Sequence, residues 1–143
     1  MTLPFEYQNA SLEFDRFLVD VRDYADLATT NMAWNMVVGV LHTFRRRLTV
    51  KQVIRFSAVL PPVIRALFLE QWNPDQEVAD FGTEAQLLEE VRSVRPKHNI
   101  SPQGAISAVA KALRNRVDQV EFNRALAELP PRAEQFWSTD RAA

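Results

Sequence analysis

The sequence predicts an all-α fold, and three observations carry that prediction. Only 3 of the 143 residues are glycine. Alternating runs of β-branched residues are scarce, and apolar side chains recur at i, i+3, i+4 spacing nearly throughout. With 47% hydrophobic residues the chain can close one core, and a single domain over residues 1–143 is expected.

The first helix is predicted over about Leu12 to Leu27, with Ser11 as N-cap and Phe14, Phe17, Leu18, Val21 and Tyr24 as its apolar stripe. The second runs from about Asn31 to Arg47. Its stripe of Trp34, Val37, Val38, Leu41, Phe44 and Leu48, widened by Met36 and Val40, marks it as the buried central helix, and Gly39 would let a neighbour approach. Thr49 and Gln52 form a capping-box pattern that opens the third helix, which must stop at Leu60 before Pro61 and Pro62. A proline in the first turn suits the fourth helix, which continues to about Trp72. Residues 73–82, "NPDQEVADFG", are rich in turn formers and read as a linker. Thr83 and Gln86 then cap a helix with Leu87, Leu88, Val91 and Val94, Ser101 and Pro102 open the next, and Asp118 and Glu121 repeat the box before Phe122.

After the linker the plan restarts. Shifting the chain by 69 lays Val40 to Pro62 over Val109 to Pro131 with 8 of 23 positions identical, among them Arg45, Arg47, Arg55 and the Leu60-Pro61-Pro62 triplet. A shift of 70 lays Phe17, Leu18, Val21 and Arg22 over Leu87, Leu88, Val91 and Arg92. The pattern predicts two tandem four-helix repeats, residues 11–72 and 83–137, packed together about a pseudo-twofold axis because each would bury little alone.

The string "RRRLTVKQVIRFSAVLPPVIRALFLEQWNP", with "FDRFLVDV" before it and "TEAQLLEEVR" after it, resembles the bacterial domain-of-unknown-function 2267 family. The resemblance covers roughly Phe14 to Trp137, through Arg47-Leu48-Thr49, Leu60-Pro61, Arg65, Phe68, Trp72 and Pro74. It implies a small, helical, internally duplicated protein and carries no activity, cofactor or catalytic residue. In the second copy Glu134 falls where Arg65 stands in the first.

Charge excludes little and favours little. The 17 basic and 18 acidic residues give a net charge of -1, unlike a nucleic-acid or anionic-membrane binder. The absence of cysteine excludes disulfides and thiolate chemistry and fits a cytoplasmic setting. No signal peptide is expected at "MTLPFEYQ", and runs such as "MVVGVL" are too short to span a bilayer. Arg45, Arg46, Lys51 and Arg55 are the candidate anion or nucleic-acid contacts. Their simpler reading is structural: cations close one helix against its macrodipole, and Arg114, Arg116 and Arg124 repeat the arrangement.

Glu13, Asp15, Asp20, Asp23 and Asp26 are expected to form a solvated face, some of them pairing with arginines of the second helix, rather than a metal site. His42 and His98 lie in no catalytic or metal-binding motif, and there is no nucleophile elbow or phosphate loop. No cofactor is expected. Ile64, Phe68, Leu69 and Trp72 belong to an apolar surplus on the fourth helix, which is either buried or a surface for a protein partner or a second copy. The function expected is a non-enzymatic protein-interaction or self-association module. Nucleic-acid binding through the arginines is the alternative, and a ligand site or enzyme cleft between the repeats is a weaker one.

Overall fold

In the computed structural model, which describes residues 3–139, the chain forms nine α-helices and no strand among those residues. They are α1 (Phe5–Gln8), α2 (Ala10–Tyr24), α3 (Thr30–Arg45), α4 (Val50–Ser57), α5 (Pro62–Leu69), α6 (Glu84–Ser93), α7 (Ala105–Arg114), α8 (Gln119–Ala127) and α9 (Pro131–Phe136). Residues 73–82 carry no helix, as the turn formers there predict.

Capping chemistry explains most of the boundaries. Thr49 and Thr83 each accept from the backbone three residues on, while Gln52 and Gln86 reach back to the cap N–H at 2.8 Å in both boxes. Asp118 accepts from the Glu121 N–H at 3.0 Å, but the Glu121 side chain does not return the bond. Thr29 caps α3, accepting from Met32. The Pro61-Pro62 pair ends α4 and starts α5, and Pro130-Pro131 does the same between α8 and α9.

Two predicted starts are corrected. Ser11 lies inside α2, which is preceded by Asn9 and the short α1 turn begun at Pro4. Ser101 does not open α7, which starts after Gly104; its hydroxyl is instead turned to the Asn99 side chain. Asn99 is thereby fixed beneath α6, donating to the carbonyls of Val91 at 2.7 Å and Val94 at 2.9 Å. The first helix also ends earlier than predicted. Asp26 takes a left-handed backbone (φ 55°), and Asp26 and Leu27 donate back to the carbonyls of Asp23 and Arg22, a Schellman closure.

α3 is the centre of the fold, buried nearly all round from Ala33 to Phe44. It packs on α2, α5 and α6, while α7 packs on α2. Gly39 is where α3 meets α6: a Cβ there would stand 2.5 Å from the Val91 carbonyl oxygen. At the other end of α3, Phe44, Phe56, Phe68, Phe122, Phe136 and Trp137 form one ring cluster with neighbouring centroids 4.9 to 6.1 Å apart. The segments before and after the linker therefore share one core.

Candidate binding cleft

The arginine run does not assemble into a basic surface. Arg45 is buried and donates to the carbonyls of Phe68 at 2.7 Å and Glu70 at 2.8 Å, closing the end of α5. Arg47 is also buried, held by the Thr43 carbonyl at 2.9 Å and by the Glu90 carboxylate. Arg46 is exposed but pairs with the other Glu90 oxygen at 3.0 Å. Of the four candidate anion contacts, Lys51 and Arg55 point outward from α4, and Arg55 approaches Glu128 at 3.9 Å. The helix-end reading needs one change. Arg45 closes the neighbouring α5 rather than the helix that carries it.

The same use of arginine recurs. Arg114 donates to the Trp137 carbonyl at 2.9 Å, Arg92 to that of Ser101 at 2.7 Å, and Arg65 to those of Ser57 and Leu60 at 3.1 and 2.9 Å. Arg116 pairs with Asp20 at 2.9 Å and Glu13 at 3.2 Å. Burial works against its charge, but Asp20 and Glu13 outweigh that, and the guanidinium is held above its ordinary pKa. Of the acidic residues of α2, Glu13 and Asp20 are thus partnered by Arg116, Glu13 also by Arg16 and Asp23 by Arg22, and none of these partners is an arginine of the second helix. Among the described residues no group of three or more metal-ligating side chains converges, and no helix is long and apolar enough to cross a membrane.

The apolar surplus of the fourth helix is divided between core and edge. Phe68 sits in the ring cluster and Ile64 in the core, both buried. Leu69 and Trp72 are half-buried against that core. Trp72 also lines a small hollow of about 160 Å³ beside Arg45 and Arg46.

A larger hollow opens at the other end of α5. It has a volume of about 430 Å³ and lies between α1–α2, the α4–α5 turn and the α7–α8 turn. Phe14, Phe17, Leu60 and Ile64 give it an apolar lining, to which Pro61, Pro62 and Val63 of the α4–α5 turn and Phe5 of α1 add. Its charged lining consists of Glu6, Glu13, Asp118, Glu121, Arg65 and Arg116. Both arginines are engaged as described, whereas no cation pairs with Glu6, Asp118 or Glu121 among the described residues. The missing return bond of Glu121 leaves its exposed carboxylate at the cleft.

A family model described as "Uncharacterized conserved protein (DUF2267)" matches residues 14–136. The chain belongs to the DUF2267 family. No curated protein matches it. In this DUF2267 chain, Val63, Ile64, Arg116 and Glu121 fall within the matched stretch, while Phe5 and Glu6 are brought to the cleft by α1 from outside it. The sequence suggested a cleft between the repeats without its residues, because α1 is a single short turn and Arg116 read as a helix-end cation. Phe81 was also missed. It is buried against Phe44 although the surrounding linker is polar, and its apolar character just before the Thr83 capping box was the available signal.

Proposed function

We propose that this DUF2267 protein is a non-enzymatic protein-interaction module, built on a tandem duplication and engaging its partner through the cleft beside Val63. The observation that carries the reading is the cleft, whose volume of about 430 Å³ combines an apolar lining with a charged rim. Protein interfaces have this composition, an apolar centre within a polar rim. A bacterial, cytoplasmic setting belongs to the same reading, from the family resemblance and the absence of cysteine.

The duplication is supported by contacts as well as by residue identities. α4 and α8 start at Val50 and Gln119, α5 and α9 at Pro62 and Pro131, each pair 69 residues apart. Arg45 donates to the Phe68 carbonyl and Arg114 to that of Trp137, again 69 apart at both ends of the bond. Two of the ion pairs that cross between the halves correspond to each other. Arg47 meets Glu90, and Arg116 meets Asp20, with the arginines 69 and the acids 70 residues apart. The cleft lies between the two proposed copies, since α2 and the α4–α5 turn come from the first and the α7–α8 turn from the second, with α1 added from before the first.

A small ligand in the same cleft is the second reading, favoured by the cleft volume. Affinity purification from the native cell with wild-type and Val63→Arg baits tests the leading one. A partner recovered with the wild type and lost with the variant is expected. Identical protein sets from both baits, or none above a bead control, would remove the interaction reading.

A further inference from the structure

We propose that the cleft receives an aromatic side chain from a partner protein segment in which a basic residue stands beside the aromatic one. This rests on the interaction reading above and names the chemistry of its partner.

The aromatic anchor is argued from the other half of the molecule. Val63 is the second residue of α5, and 69 residues on, Arg132 is the second residue of α9. The Arg132 guanidinium stands 5.5 Å above the ring of Phe81, and that ring is buried, its centroid 6.4 Å from that of Phe44. The beginning of α9 is thus covered by an aromatic side chain that the chain supplies from its own linker. At the beginning of α5 no ring comes from the corresponding position, and the rings that line the cleft there, Phe5, Phe14 and Phe17, come from α1 and α2. Ser11, which lies 70 residues before Phe81, is exposed on α2, and Phe5 borders the cleft while remaining 75% exposed. An incoming ring would complete at Val63 what Phe81 completes at Arg132, and buried aromatic anchors in pockets dominate the energetics of many interfaces.

The basic neighbour is argued from charge. Arg65 gives Nε and Nη2 to carbonyls and Arg116 gives Nη1 and Nη2 to Glu13 and Asp20, with the buried Arg116 Nε left unpartnered, and these two cations stand against four carboxylates in the lining, Glu6, Glu13, Asp118 and Glu121. The carboxylates of Glu6, Asp118 and Glu121 line the same opening with no cationic partner among the described residues. The charge left for a ligand is therefore negative, and it selects a cation beside the anchor.

Fluorescence anisotropy of the full chain with labelled short peptides tests the proposal. The probe carries tryptophan between two arginines; one control replaces tryptophan by alanine, a second replaces both arginines by glutamate. The expected result is binding of the probe, weakened at least about ten-fold by the alanine control or by Val63→Arg. The glutamate control should fail to bind, Glu121→Gln should weaken the probe about three-fold, and added salt should weaken it further. Circular dichroism establishes that each variant is folded. Equal binding of probe and alanine control, or no effect of Val63→Arg, overturns the proposal, as does no binding of any peptide. If the glutamate control binds as well as the probe and Val63→Arg abolishes both, the basic neighbour is wrong while the interaction reading stands. Displacement of the probe by equimolar tryptamine overturns the proposal in favour of a small aromatic cation.

Discussion

His42 and Arg45 stand one turn apart on α3 and together close the end of α5. His42 Nε2 lies 2.9 Å from the Leu67 carbonyl, and Arg45 reaches those of Phe68 and Glu70. The final carbonyls of a helix have no partner within it, and burying one unmet is costly. Arg45→Met should therefore cost about 1 to 3 kcal/mol in urea unfolding. Arg46→Ala, which loses only an exposed pair to Glu90, should cost less than about 1 kcal/mol. Equal costs would contradict this division of labour. His42 adds a pH dependence. Burial, reinforced by nearby Arg45 and offset in part by the Leu67 bond and Glu70, pulls its pKa below the ordinary 6.5. The unfolded chain then takes up a proton near pH 6.5 that the folded chain resists, so this stability is present above pH 6.5 and lost as pH falls below it. His42→Gln, which keeps a donor without the titration, should flatten that acid-side loss relative to wild type. An unchanged slope between pH 7.5 and 5.5 would contradict it.

At the scale of elements, the close approach of α3 and α6 decides what position 39 tolerates. A methyl group there would press on the Val91 backbone at 2.5 Å, which cannot yield without moving α6, and on the Asn99 amide at 2.9 Å, which yields only by giving up its bonds to the Val91 and Val94 carbonyls. Gly39→Ala should lower stability by about 1 to 3 kcal/mol. At Gly104 nothing lies within 4 Å of the added carbon, so Gly104→Ala should be neutral or stabilise by up to about 1 kcal/mol. Thermal melts of the two variants check the contrast, and similar melting points would refute it. The need for glycine at position 39 was legible from its place in a buried stripe. The Thr49 and Thr83 boxes were legible for a related reason, since both partners of each bond lie within four residues of sequence. Ser101 misled because its hydroxyl is taken by Asn99, whose own partners are the Val91 and Val94 carbonyls of α6. Asp26 misled because a left-handed closure depends on backbone geometry that charge patterning does not report. Local signals fixed those elements that cap themselves, and distant contacts fixed the others.

For the whole molecule, the same distinction separates what could be read from what could not. Helical content and the buried second helix follow from periodicity, but the cleft requires three segments from both sides of the linker to meet, and no local pattern encodes that. What could have been read, by combining the 69- and 70-residue shifts, is the exchange of Arg47–Glu90 for Arg116–Asp20. These pairs, the packing of α3 on α6 and of α2 on α7, and the rings of Phe44 and Phe56 against Trp137 all join residues on opposite sides of the linker. Residues 1–76 made alone would leave α3 without the α6 surface that covers Gly39, and would leave Arg47 without Glu90. Chains of this size are marginal even when their core is complete. The fragment should therefore show little cooperative unfolding by circular dichroism, or associate with itself, using a second copy's α2 in place of α6. Adding residues 77–143 should restore a cooperative transition, and Glu90→Arg in the added fragment should weaken that recovery by opposing Arg47. A fragment of residues 1–76 that remains monomeric and unfolds cooperatively by itself would refute this dependence, because its core would then close without the exchanged contacts.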